Sequence, residues 1–121
     1  MTQAVLLIAH GSRQAEANAD LHHLAEVLRG RGHPVVVASF LELAEPTIAD
    51  GGRACVAAGA TRVVLLPYFL SAGVHVRRDL TAERDALAAE FPSVAFVLAE
   101  PLGRHPLLAD VVEERVRAAG S

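Results

Sequence analysis

The chain has 121 residues, 52% of them hydrophobic, which is enough to build a core without staples, and its single cysteine, Cys55, rules out an intrachain disulfide framework. The formal charge is −3; all eleven basic residues are arginines scattered from Arg13 to Arg117, an arrangement that argues against a nucleic-acid partner. No apolar run approaches the roughly 20 residues of a membrane-crossing helix, and a signal-peptide pattern is lacking, so a soluble, cytoplasmic single domain over residues 1–121 is expected.

The first apolar run, Ala4 to Ala9, reads as a strand and leads into His10-Gly11-Ser12-Arg13. A helix follows, with Ser12 as its expected N-cap, Leu21, Leu24, Ala25 and Leu28 as its apolar stripe, and an end at Gly30 or Gly32. The second strand runs from Val35 to Leu41 and leads into Glu42. The second helix has Pro46 at its expected first position and stops at Gly59. A third strand spans Val63 to Leu70, and a third helix lies between about Arg77 and Glu90. The last strand is Val94 to Ala99, and the last helix opens at His105-Pro106, carries Leu107, Leu108, Val111, Val112 and Val116, and runs towards Gly120.

These runs lack the alternation of half-exposed strands, so they read as strands covered on both faces. Strictly alternating strands and helices predict an α/β domain: a four-stranded parallel sheet between two helical layers, joined by right-handed crossovers. In flavodoxin-like winding the strand order is 2-1-3-4, and the crevice between strands one and three is the default ligand site.

On a parallel sheet all carboxyl ends share one edge. His10 follows the first strand, Glu42 the second, and His75 lies a short loop beyond the third. Each has a bland reading alone, as a turn or loop residue. Three at successive carboxyl ends suggest an open site for a borderline divalent ion such as Co²⁺ or Fe²⁺, with positions free for a substrate.

The segments Leu-Ile-Ala-His10-Gly-Ser-Arg13, Ser-Phe-Leu-Glu42-Leu-Ala-Glu-Pro-Thr-Ile and Leu-Pro-Tyr-Phe-Leu-Ser-Ala-Gly-Val-His75-Val-Arg-Arg-Asp79 resemble the small sirohydrochlorin chelatases, both cobalt- and iron-inserting. So does Glu100-Pro-Leu-Gly-Arg-His105-Pro-Leu-Leu, and the resemblance covers nearly the whole chain. It implies that His10 and His75 are the metal-binding and catalytic pair, assisted by Glu42. It also implies a flavodoxin-like chelatase fold, and homodimers among the short members where longer relatives carry two such domains. One departure stands out: many relatives have Pro where this chain has Thr81 in Asp79-Leu80-Thr81, and Pro there would fix the entry to the third helix.

Insertion exchanges two pyrrole N–H protons for one M²⁺, which calls for loosely held metal and a nearby base. Neutral imidazole suits both roles, since its unperturbed pKa is about 6.5. The expected roles are His10 and His75 as ligands and proton acceptors, with Glu42 orienting an imidazole or carrying protons away. The metal is substrate, so no retained cofactor is expected. The substrate's rim carboxylates require local positive charge or amides; the candidates are Ser12, Arg13, Arg77 and Arg78, with Arg53 a weaker one.

Other residues carry less. His22 and His23 point about 100° apart on a helix and cannot chelate one ion together. His33 reads as a loop residue, His105 as the entry to the last helix, Cys55 as buried, and Glu45 as favouring the second helix N-terminus. Two rival readings stand beside the chelatase: a histidine-dependent phosphohydrolase, against which Ala9 replaces the Arg of the Arg-His-Gly signature, and a non-catalytic carrier of metal or tetrapyrrole.

Overall fold

The structure, a computed structural model, describes residues 2–120. Strands and helices alternate: β1 (Gln3–Ala9), α1 (Ala15–Gly30), β2 (Val35–Phe40), α2 (Ile48–Ala57), β3 (Arg62–Pro67), α3 (Val74–Glu90), β4 (Ala95–Leu98) and α4 (Pro106–Gly120). The four strands form one sheet in the order β2-β1-β3-β4, and every pairing is parallel. The expected α/β winding is the observed one, and the connection reverses between β1 and β3.

Two apolar clusters explain why the strands read as continuous apolar runs. On one face Leu6, Ile8, Val63, Leu65 and Phe96 pack with Ile48 and Cys55 of α2 and with Leu80 and Leu87 of α3. On the other, Leu7, Val36, Ala38 and Phe40 pack against Leu21 and Ala25 of α1. The one buried polar side chain among the described residues, Ser39, donates its hydroxyl to the Leu7 carbonyl at 2.8 Å, so it costs the core no unmatched group.

Several element ends differ from expectation, each for a local reason. Ser12 does not cap α1: the helix begins at Ala15, and Ser12 Oγ instead accepts from the Gln14 amide at 3.0 Å. Pro46 is not the first residue of α2, because Thr47 caps it, its hydroxyl accepting from the Asp50 amide at 3.1 Å. The third strand stops at Pro67, three residues before Leu70. Its apolar continuation leaves the sheet, and the Phe69 carbonyl accepts from Leu102 rather than from a strand neighbour. Helix α3 starts at Val74 behind an extended Gly73, earlier than expected, since β-branched Val74 and Val76 hide the start by their weak helix propensity. Thr81 therefore lies inside the helix, with its hydroxyl donating to the Arg77 carbonyl, and the missing Pro has no bearing on the helix entry.

Candidate active site

The carboxyl edge is assembled first from backbone. The β1–β2 pairing continues past both strands, with the Leu41 amide donating to Ala9 at 2.9 Å and the Glu42 amide to His10 at 3.0 Å. Between them Gly11 adopts φ +93° and lies so near the Glu42 carbonyl that a Cβ would fall 1.8 Å from that oxygen. Only glycine satisfies both demands. The loops carrying His10 and Glu42 are thus joined through their main chains, while both side chains are exposed.

The third strand adds a wall. Just past its end, the Tyr68 amide donates to the Ile8 carbonyl at 2.7 Å, and buried Phe69 stacks on the His10 imidazole with centroids 4.3 Å apart and planes 22° from parallel. One ring face of His10 is covered and its orientation restrained.

His75 is the second residue of α3, in the helix's first turn rather than in a loop, and it is exposed. Its helix follows β3 and so begins at the same sheet edge as His10. Among the described residues no group of three His, Cys, Asp or Glu side chains is close enough to hold a metal ion. The edge carries these donors separately, on exposed residues.

The cationic candidates divide. Arg13 and Arg78 are exposed and, among the described residues, without an ion-pair partner. Arg77 donates its Nε to the Ala72 carbonyl at 3.1 Å and lies 3.7 Å from Glu100, a solvent-exposed contact worth little by itself. Arg53 is not at the edge: its guanidinium forks onto both oxygens of Glu90, at 2.9 and 3.0 Å, and onto Asp50. That fork holds the Glu90 carboxyl below its ordinary range.

Ser12 is fixed rather than free. Its amide donates to Asn18 Oδ1 at 3.0 Å and its carbonyl accepts from Asn18 Nδ2 at 2.8 Å. This clamp shapes a groove of about 450 Å³ that includes Ser12, Arg13, Asn18, His22 and Leu43 among its walls. His22 contributes by packing edge-on to Phe40. His105 serves the entry of α4, where its Nδ1 accepts from the Leu107 amide at 3.2 Å. Buried Cys55 has its thiol pushed up to about 11 by desolvation.

Phe69, Asn18 and the Gly11 conformation were not evident in the sequence as parts of the site. Phe69 looked like the continuation of an apolar strand. Only the Gly directly after a strand-end histidine signalled a constrained turn.

Comparison with known proteins bears on the family and the fold. Residues 4–119 match the model of the CbiX family. The chain is 38% identical over 114 residues to the chloroplastic sirohydrochlorin ferrochelatase of Arabidopsis thaliana, covering 93% of this chain and 51% of that protein. It is 31% identical over 123 residues to the sirohydrochlorin cobaltochelatase of Methanosarcina barkeri, covering 95% of each. The crystal structure of the sirohydrochlorin chelatase SirB from Bacillus subtilis subspecies spizizenii in complex with cobalt superposes with a TM-score of 0.88 at 34% identity, over 98% of this chain and 51% of that one. The chain spans about half the length, or less, of several curated relatives it matches.

Proposed function

The chain belongs to the CbiX family, and from that premise we propose that it inserts a divalent metal ion, Co²⁺ or Fe²⁺, into sirohydrochlorin. The observation that carries the proposal is the pair of exposed imidazoles at one sheet edge, His10 after β1 and His75 in the first turn of α3. Such donors hold a borderline ion without caging it.

In this reading His10 and His75 present the metal and accept the two pyrrole protons as the macrocycle nitrogens replace them on the ion. Phe69 keeps the His10 ring in one orientation through that exchange. Glu42, tied to His10 through the main chain, passes protons to solvent from its exposed carboxylate. Arg13 and Arg78 receive rim carboxylates, and Arg77 joins them by leaving Glu100. Ser12 shapes the groove beside Arg13 through its Asn18 clamp.

A tetrapyrrole is a broad plate with two faces, and a single sheet edge covers only one of them. We assign the opposing wall to a second copy in a C₂ homodimer. Relatives of about twice this length support that arrangement, because one such chain has room for both walls. The interface should bury at least about 1,000 Å² in total.

Anaerobic incubation of the purified chain with excess sirohydrochlorin and Co²⁺ or Fe²⁺, followed by absorbance, tests the activity. Repeated turnover is expected. Product that stops at one equivalent per site would instead support the carrier reading.

A further inference from the structure

The loop from His10 to Arg13 is held unevenly. Its first half is fixed three times over: the His10 carbonyl accepts from the Glu42 amide at 3.0 Å, Gly11 lies against the Glu42 carbonyl, and the His10 ring stacks on Phe69. From Gln14 onward the chain is held by α1, whose first turn bonds to the Gln14 carbonyl. Ser12 and Arg13 lie between, and among the described residues neither makes a backbone–backbone hydrogen bond.

One side chain supplies what the backbone lacks. Asn18, the fourth residue of α1, accepts from the Ser12 amide at its Oδ1, 3.0 Å away, and donates from Nδ2 to the Ser12 carbonyl at 2.8 Å. A primary amide presents a donor and an acceptor together, so it pairs with a peptide as a neighbouring strand does. An apolar side chain or an ionised carboxylate cannot. The other bond at Ser12, from the Gln14 amide to Oγ at 3.0 Å, involves the side chain and leaves the Ser12 peptide to Asn18.

The residue this clamp governs is Arg13, the next in the chain. Its side chain is exposed and, among the described residues, has no ion-pair partner, although Glu45 lines the same groove of about 450 Å³. A guanidinium on a loose loop loses conformational freedom when it takes a carboxylate. One whose backbone is already fixed loses less and binds more tightly.

We infer that Asn18 is a positioning residue for substrate capture: by holding the Ser12 peptide it presents Arg13 to a rim carboxylate of the tetrapyrrole. The His10 end of the loop stands without it, on Glu42 and Phe69. The inference rests on the role proposed above for Arg13 and names what makes that role effective. It entails a split between the two substrates. Loss of the clamp weakens capture of sirohydrochlorin and leaves metal handling at His10 intact, a pattern that a mere brace for the start of α1 does not produce.

A double-mutant cycle of initial insertion rates tests it, with the full chain as wild type, Asn18→Ala, Arg13→Ala and the double variant. In Asn18→Ala the KM for sirohydrochlorin should rise at least about fivefold, with kcat and the KM for Co²⁺ within about twofold of wild type. In the Arg13→Ala background the Asn18 change should add almost nothing. An unchanged KM in Asn18→Ala, equal increases in the two backgrounds, or a loss confined to kcat would overturn the inference and leave the Arg13 reading standing. A wild-type KM in Arg13→Ala would overturn both. Alanine suits a helix at position 18, and circular dichroism checks that the variants stay folded. Amide hydrogen exchange on the unaltered chain needs no variant: the Ser12 amide should be protected, and exchange at the rate of an unstructured peptide would overturn the clamp.

Discussion

The imidazole of His10 lies flat against the ring of Phe69, 4.3 Å between centroids, so a residue that leaves β3 determines the attitude of one that leaves β1. Replacing Phe69 by Leu keeps an apolar side chain in the core while removing the stack. We expect a stability loss of about 1–3 kcal/mol, as for a partial large-to-small change in the core, and a drop in the insertion rate that is larger in kcat than in KM for metal. Stopped-flow rates beside a denaturant titration measure both.

Gly11 is where the histidine and glutamate loops meet. A Gly11→Ala change places a methyl group against the Glu42 carbonyl at a backbone conformation that disfavours side chains. The φ strain alone costs about 1–3 kcal/mol, and the clash adds to it, so the thermal midpoint should fall clearly. The same change should depress activity more than Glu42→Gln, which leaves the main-chain bond to His10 in place and slows only proton removal.

Much of the architecture was legible because covered parallel strands and their helices leave different periodicities; alternation predicted the parallel sheet, and the order β2-β1-β3-β4 is the one expected for flavodoxin-like winding, which the family resemblance implied. The carboxyl-edge positions of His10 and Glu42 followed as well. What escaped was decided by contacts distant in sequence. Tyr68 and Phe69 look like strand yet serve a loop, Val74 starts a helix despite poor propensity, and Arg53 pairs with Glu90, a partner 37 residues away. The stripe on α4 was visible in sequence, but its exposure became apparent only in three dimensions.

The Arg53–Glu90 fork predicts a pH dependence of stability. Because the hydrogen bond and charge of Arg53 hold the folded Glu90 below its ordinary value of 4.5, the pair contributes above that value and its contribution is lost as pH falls through the folded one. Both side chains are exposed, so the effect is small. Comparing wild type with Glu90→Gln, the difference in unfolding free energy should shrink on acidification below about pH 4.5; a difference constant from pH 7 to pH 3 would contradict the pairing.

Cys55 offers a check on the core. With its side chain fully buried and its thiol pushed up to about 11, it should resist a thiol reagent at pH 8 until the chain unfolds. Labelling in native buffer at the rate of a free thiol would show that the α2 face is open.

The most direct test of the account is the initial rate of anaerobic Co²⁺ insertion into sirohydrochlorin by the wild type, His10→Ala and His75→Ala, each confirmed as folded by circular dichroism. Both histidines are exposed and neither belongs to the core, so the fold should survive. The account predicts that each single variant loses at least about 100-fold in rate at subsaturating metal. Wild-type rates in both variants would contradict it.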